Sequence, residues 1–192
     1  MNNLTNKKII LASQSPRRRD LLKAAGLSFE IRANPVDEEN YPATLTVDEV
    51  AEFLAIQKAD AVRDTLKPDE VAIGADSVVI LDDRIYGKPV DHAEAVAILQ
   101  ALSGRMHRVI TGVCLLSLEK AVSFSAESKV YFHRLSDEEI EYYITRFQPF
   151  DKAGAYAIQE WIGICKIARI EGTYTNIMGL PVDRVVEELG KF

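Results

Sequence analysis

Hydrophobic and polar positions change along this chain in short blocks that predict strands and helices in alternation. Apolar runs typical of buried strands are followed by segments with helical spacing, and no internal repeat or low-complexity linker interrupts them. We predict strands at 9–12, 27–31, 71–81, 85–86, 106–118, 121–132 and 161–170, and helices at 15–26, 46–66, 91–103, 136–148 and 182–189. This order predicts an α/β fold, and because the hairpin within 106–132 must be antiparallel, the sheet is expected to be mixed.

Several helix starts carry local capping signals. Ser15 and Pro16 are typical of an N-cap and a first helical position, and Gly26 is expected to end that helix. The segments 46–49 and 136–139 have the spacing of a capping box. The first predicted helix therefore begins directly after the first predicted strand.

The composition is that of a globular protein and excludes several classes. The 192 residues are 47% hydrophobic and carry 23 Lys and Arg against 29 Asp and Glu, a net charge of −6, which disfavours coating of nucleic acid. No apolar run approaches the roughly 18 residues of a membrane-spanning helix, and the first residues lack the apolar core of a signal peptide. Cys114 and Cys165 lie in apolar runs and are expected to be reduced and buried. We expect a cytoplasmic protein with no membrane or nucleic-acid partner.

The charge is unevenly distributed along the first 52 residues. Residues 1–32 carry seven basic side chains against two acidic ones, whereas residues 33–52 carry six acidic side chains and no basic one. Two explanations remain open: a solvated surface, or a site that uses cations for phosphate oxygens and carboxylates for a metal ion.

The junction 13–19 combines a strand end, a tight turn and a helix start. The free N–H groups of a first helical turn favour an anion, yet this turn contains Arg17, Arg18 and Arg19. Either a phosphate binds there or the arginines form a solvated cluster. Ser13 and Ser15 lack an evident base partner, so a cap or a phosphate hydrogen bond is favoured over a nucleophilic role.

Two later segments contain further candidates. Asp76 follows an apolar strand and is expected at its carboxyl end, where α/β sheets bind ligands, although a turn-forming Asp is an equal alternative. Lys88 lies in a rigid Gly-Lys-Pro turn, and Lys152 and Gln159 lie in a stretch of small residues that would suit a backbone close to a ligand. The three histidines have no metal-ligand spacing, and there is no P-loop or dinucleotide fingerprint.

In their order along the chain, these segments resemble the Maf family, the septum-formation-inhibitor-like nucleoside triphosphate pyrophosphatases. The matching segments are 11–18, 36–38, 58–59, 74–79, 87–89, 103–104 with His107, 111–112, 151–159 and 179–181. The resemblance covers essentially the whole chain. It implies a single Maf-like domain over residues 1–192, with a two-lobed α/β fold, a twisted mixed sheet and a deep substrate cleft.

The resemblance also implies a reaction, the hydrolysis of nucleoside triphosphates to monophosphate and pyrophosphate with a divalent cation, Mg²⁺ or Mn²⁺. Asp76 matches the proton acceptor, and Glu38 with Asp76 matches the acids near the cation; whether Asp76 is base, metal ligand or both stays open. The positions that match those facing the triphosphate are Ser13, Arg17, Arg18, Lys58, Lys88 and Lys152. Family analogy adds a homodimer, and the family name adds an alternative function, a nucleotide-binding regulator of cell division without significant turnover.

Three positions separate the subgroups of this family. Arg17, Ser77 and Gln159 are close to the Arg, Thr and Gln of the dTTP/UTP pyrophosphatases and unlike the Trp, Gln and Glu of the 7-methyl-GTP group. A Gln amide can pair with the imide edge of uracil or thymine. The chain departs from the family pattern at Ile56, where Arg is frequent, and at Glu160, where Gly is usual.

Overall fold

A computed structural model of the chain describes residues 6–192, in which strands and helices alternate as predicted. The strands are β1 (Lys8–Leu11), β2 (Phe29–Ile31), β3 (Glu70–Leu81), β4 (Arg84–Tyr86), β5 (Met106–Leu116), β6 (Ala121–Phe132) and β7 (Ile167–Glu171). The helices are α1 (Pro16–Ala24), α2 (Val50–Asp60), α3 (His92–Leu102), α4 (Asp137–Phe147), α5 (Trp161–Lys166), α6 (Tyr174–Met178) and α7 (Val182–Leu189). The α/β class is confirmed.

The strands form one sheet in the order β2-β1-β3-β5-β6-β7, with β4 paired to β3. β1 runs parallel to both β2 and β3, with Leu11 beside Ile73, whereas the β3–β4 and β6–β7 pairs are antiparallel. The mixed sheet is therefore confirmed. The β3–β4 turn is formed by Asp82 and Asp83, both with positive φ (49° and 56°), as a two-residue hairpin turn requires.

The chain divides into two compact units. The first contains the residues up to Asp76, Thr111–Ala126 and Gly179–Phe192, and the second contains Ser77–Ile110 and Glu127–Met178. The expectation that residues 1–192 form a single domain stays a prediction.

In the first unit, α2 packs directly against the backbones of β3 and β5. A Cβ atom at Gly74 would lie 2.2 Å from the carbonyl oxygen of Ala55, and one at Gly112 would lie 2.3 Å from that of Ala51. Only glycine leaves room for so close an approach between a helix and a strand. Gly74 thus determines how near α2 comes to β3, and Gly112 how near it comes to β5.

The core of the second unit contains the helix pair α3 and α4 and an aromatic cluster. His107, Phe132 and Tyr156 meet edge to face, with His107 Nε2 2.8 Å from the Tyr156 hydroxyl oxygen. Burial lowers the pKa of His107 from 6.5 to about 3, because the charged imidazole would be deprived of water. The cluster therefore keeps a neutral histidine.

The strand predicted at 161–170 is wrong in its first half. Residues Trp161–Lys166 form α5, and only Ile167–Glu171 form β7. The N–H groups of Gly163 and Ile164 both donate to the carbonyl oxygen of Glu160, which turns the chain into a helix. A short apolar run does not by itself distinguish a strand from a helix.

Two further expectations need correction. The helix predicted at 46–66 begins at Val50 and ends at Asp60, followed by a 3-10 turn at Arg63–Thr65. The Glu49 carboxylate accepts both the N–H and the hydroxyl of Thr46, so the hydroxyl donates to the carboxylate and does not cap the helix. Both cysteines are free thiols, but only Cys114 is buried and Cys165 is exposed. Among residues 6–192, no helix combines the length and the apolar character that crossing a membrane requires.

Candidate functional site

The turn from β1 into α1 is held by a buried arginine. Arg18 is 8% exposed; its Nε donates to the carbonyl oxygen of Gly179 (2.8 Å) and its Nη1 donates to Ser13 Oγ (3.1 Å). Ser13 Oγ also accepts the N–H of Ser15, the N-cap of α1, at 3.3 Å. Burial lowers the pKa of the Arg18 guanidinium, an effect that the nearby carboxylates of Asp76 and Glu38 oppose. Two predicted site residues are thus joined by one hydrogen bond.

The half-buried Arg17 belongs to the same helix start, where the first turn contains no acidic side chain. The positive end of a helix normally attracts Asp or Glu to this position. The helix start is where the sequence predicted it, and anion binding there stays a prediction.

A carboxylate–lysine cluster, formed by Glu38, Lys58 and Asp76, lies in the same unit. Lys58 Nζ is 2.7 Å from Glu38 Oε1 and 2.5 Å from Asp76 Oδ1. The side chains of Lys58 and Asp76 are 10% and 13% exposed, and that of Glu38 is 37% exposed. The nearly buried ammonium of Lys58, on α2, thus joins Glu38 of a loop and Asp76 of β3, which are far apart in sequence.

Asp76 does not lie at the end of a strand, as its sequence context predicted. It lies within β3, which continues through the buried residues Val78, Val79, Ile80 and Leu81 to the hairpin with β4. The apolar run after Asp76 and its pairing with β4 extend the strand beyond the acid. The carboxylate instead meets Lys58, which the close approach of α2 to Gly74 brings within reach.

The cluster fits a divalent cation in the number and type of its donors. Glu38 and Asp76 carry hard oxygen donors that reach one point, which the Lys58 ammonium occupies in this structure. In residues 6–192 there is no group of three or more His, Cys, Asp or Glu side chains arranged to hold a metal. Two carboxylates without a third protein ligand suit Mg²⁺, which is usually held by one or two carboxylates together with substrate phosphates and water.

In the second unit, a lysine is again held between two carboxylates. Lys152 is 10% exposed in its side chain, and its Nζ lies 2.7 Å from Asp151 Oδ1 and 3.5 Å from Glu160 Oε1. Gly154 donates its N–H to the carbonyl oxygen of Gly87 at 3.0 Å. This bond connects the segment that carries Lys152 to the turn that carries Lys88.

The small residues of this segment have a packing role. A Cβ atom at Gly154 would lie 2.8 Å from Val79 Cγ2, and Ala155 is fully buried. The neighbouring strand β3 leaves no room for a side chain at Gly154, a reason that the sequence pattern did not suggest.

Gln159, predicted to read the base, has a buried carbonyl oxygen. Among the residues that the structure describes, Oε1 of Gln159 has no hydrogen-bond partner. A buried acceptor without a partner is uncommon in proteins, and a ligand that donates a hydrogen bond would satisfy it. Gln159 also lines an open cavity of about 460 Å³, whose walls include the apolar side chains of Ile158, Ile164 and Ile167 and the ring of Tyr174.

The sequence did not reveal a contact between α4 and this segment. The Tyr143 hydroxyl, buried in the core, donates to the Glu160 carboxylate and accepts the N–H of Ala157 at 3.0 Å. In the sequence, Glu160 is only a departure from the family pattern, and Tyr143 is one residue within a predicted helix. Their 17-residue separation leaves no local signal.

Comparison with known proteins agrees with the earlier resemblance. Residues 8–192 match the family described as Maf-like protein. A dTTP/UTP pyrophosphatase from Phocaeicola vulgatus is 50% identical over 100% of this chain and 99% of its own length, and one from Bacteroides thetaiotaomicron is 47% identical over the same shares. Among solved structures, a HAM1 protein from Coxiella burnetii is 20% identical, with a TM-score of 0.46 over 67% of this chain and 74% of that chain. Given the sequence matches over the full length, this chain belongs to the Maf-like protein family.

Proposed function

We propose that this protein hydrolyses nucleoside triphosphates to nucleoside monophosphate and pyrophosphate, with dTTP and UTP as preferred substrates and Mg²⁺ or Mn²⁺ as cofactor. The carboxylate–lysine cluster carries the proposal, because it combines a nearly buried acid, Asp76, with the Lys58 ammonium and a second acid, Glu38. Relatives at 47–50% identity over essentially their full length are named dTTP/UTP pyrophosphatases, which supports the same activity. The predicted cytoplasmic location, the homodimer and the absence of membrane and nucleic-acid partners complete the proposal.

The start of α1 supplies the first contacts for the phosphates. Ser13 Oγ and Arg17 lie at a helix N-terminus that contains no acid, so both would face an anion in a favourable field. Arg18 donates to Gly179 and to Ser13, and thereby holds this turn in place for the triphosphate. Lys58 adds positive charge near the acids.

Asp76 is the base of the proposed reaction. Its carboxylate accepts a proton from water while the water oxygen bonds to the α-phosphorus and the bond from that phosphorus to the bridging oxygen breaks, releasing pyrophosphate. Lys58 keeps the carboxylate in place through its 2.5 Å ion pair. Glu38 and Asp76 would hold the divalent cation, which when bound neutralises charge on the phosphate oxygens.

Lys88, Lys152 and Gln159 of the second unit are proposed to complete substrate recognition. The two lysines would contact phosphate oxygens. The buried Oε1 of Gln159 would accept the imide N–H of uracil or thymine, while its amide nitrogen would donate to a ring carbonyl. Arg17 and Ser77 are the other two positions at which the proposal places pyrimidine preference.

A release assay tests the proposal directly. Purified protein with Mg²⁺ or Mn²⁺ is incubated with dTTP, UTP, CTP, ATP, GTP and 7-methyl-GTP, and phosphate is measured with and without added inorganic pyrophosphatase. We expect signal only with the added enzyme, strongest for dTTP and UTP. A preference for 7-methyl-GTP would overturn the assignment of Arg17, Ser77 and Gln159, and nucleotide binding without turnover would favour a regulatory protein.

A further inference from the structure

Glu160 connects two proposed substrate-binding positions of the second unit, Lys152 and Gln159, to the helix α4. Its side chain is 20% exposed and makes no capping bond to α5, although Glu160 is the N-cap of that helix. One carboxylate oxygen accepts the Tyr143 hydroxyl, and the other lies 3.5 Å from Lys152 Nζ. The carboxylate therefore contacts two side chains outside α5, those of Tyr143 and Lys152.

Tyr143 attaches this contact to a well-packed helix. It lies on α4, which begins with a complete capping box at Ser136 and buries Ile140 and Ile144 in the core beside Tyr143. Burial, together with the Glu160 carboxylate, raises the pKa of the Tyr143 hydroxyl, so the phenol keeps its proton and donates it. The same hydroxyl accepts the Ala157 N–H at 3.0 Å, so one oxygen anchors both a backbone amide and a side chain.

These contacts join the two ends of the segment 152–160. Lys152 is its first residue, Ala157 lies within it, and Gln159 directly precedes its last residue, Glu160. The Glu160 N–H also donates to the carbonyl oxygen of Ala157 at 3.1 Å, which closes the turn that carries Gln159. The Glu160 carboxylate thus contacts Lys152 directly, beside the closer Asp151, and reaches the turn before Gln159 through the Tyr143 hydroxyl.

We propose that Glu160 is a positioning residue for substrate recognition, which orients the Lys152 ammonium through its ion pair and the Gln159 turn through its bond to Tyr143. The inference rests on the proposed function, since Lys152 and Gln159 are the residues that would meet the phosphates and the base. The two contacts have separate consequences. Loss of the ion pair affects binding of every triphosphate, whereas loss of the hydroxyl contact affects choice of base.

Three variants separate these contacts. Glu160→Gln keeps an acceptor for the Tyr143 hydroxyl but leaves Asp151 as the one charged partner of Lys152 among the described residues, so KM should rise about threefold for all nucleotides with an unchanged preference for dTTP over CTP. Tyr143→Phe leaves the ion pair and removes the hydroxyl, so that preference should fall about fivefold. Glu160→Ala removes both contacts and should combine the two effects. Tyr142→Phe, the exposed neighbour on α4, is the matched control and should behave as the wild type.

Hydrogen exchange provides a readout that needs no substrate. The Ala157 amide should exchange about tenfold faster in Tyr143→Phe and in Glu160→Ala than in the wild type, and at the wild-type rate in Glu160→Gln. Unchanged KM and preference in all three variants, with only a lowered melting temperature, would reduce Glu160 to a structural role and overturn the inference. A fall in KM in Glu160→Gln would show that the carboxylate screens Lys152 and would also overturn it. Turnover absent from the wild type would remove the proposed function itself, whereas wild-type turnover with insensitive variants removes only this inference.

Discussion

Lys58 and Asp76 are 18 residues apart in the chain, and their side chains form an ion pair of 2.5 Å in which both are nearly buried. The pair exists because α2 approaches β3 at Gly74, where a Cβ atom would overlap the helix backbone. Glu38 joins the same ammonium from a loop.

Asp76→Asn should abolish turnover while the protein stays folded. The amide retains the shape of the carboxylate but cannot accept a proton from water, so the rate should fall by at least about a hundredfold. Pyrophosphate release and the urea midpoint are measured together. Asp60→Asn, which changes an exposed acid on α2 that pairs with Arg63, is the control and should keep the wild-type rate. Retained activity in Asp76→Asn would remove Asp76 as the base.

Glu38→Gln should weaken the response to the divalent cation. If Glu38 holds Mg²⁺ together with Asp76, the Mg²⁺ concentration for half-maximal turnover should rise about tenfold or more. EDTA should stop turnover of the wild type, and added Mg²⁺ or Mn²⁺ should restore it. Glu39→Gln changes the exposed neighbouring acid and should leave the Mg²⁺ titration unchanged. Identical Mg²⁺ titrations for Glu38→Gln and the wild type would contradict the assignment.

Gln159→Glu should reduce use of dTTP and UTP more than use of a permissive substrate. A carboxylate can only accept hydrogen bonds, so it cannot pair with both the donor and the acceptor of a pyrimidine imide edge. The ratio of kcat/KM for dTTP to that for other triphosphates is the measurement. An equal loss for every nucleotide would show that Gln159 does not read the base.

Gly74→Ala should lower stability and turnover together. The added methyl group would lie 2.2 Å from the Ala55 carbonyl oxygen, so α2 must move away from β3. Overpacking of this kind costs about 1–3 kcal/mol, and the same movement separates Lys58 from Asp76. Gly87→Ala, where a Cβ atom would meet nothing within 4 Å, is the control for urea unfolding. Equal urea midpoints for Gly74→Ala and Gly87→Ala would show that α2 accommodates the added methyl group without loss of stability.

His107 should make the protein less stable as the pH falls below about 6.5. The folded protein holds this histidine neutral with a pKa of about 3, whereas the unfolded chain takes up a proton near 6.5. The unfolded state therefore binds one more proton in this range, and the free energy of unfolding should fall by up to about 1.4 kcal/mol per pH unit on acidification. Urea titrations between pH 7 and pH 4.5 should show a shallower slope for His107→Phe. His92→Gln, at an exposed histidine, should keep the wild-type slope.

Elements defined by neighbouring residues were predictable from the sequence. The capping box at Ser136 and the Ser15–Pro16 start of α1 both begin helices as expected, and Asp82 and Asp83 form the turn between β3 and β4. These features depend on backbone bonds within a few residues, so their signals are local. The error at 161–170 arose where local signals were ambiguous, because the contacts that choose helix over strand come from Glu160 and the packing of Gly163 against Ile158.

The α/β class, most of the helix starts and the residue types of the candidate site could be predicted from the sequence, since periodicity, capping and charge distribution depend on neighbouring positions. Which of those residues contact one another became clear only from the folded chain. The ion pairs of Lys58, the hydrogen bond from Arg18 to Gly179, and the contact of Tyr143 with Glu160 join residues from separate elements. The distance between Lys58 and Asp76 follows from how closely α2 packs on β3, and that depends on the absent side chain of Gly74, which is next but one to Asp76 but far along the chain from Lys58.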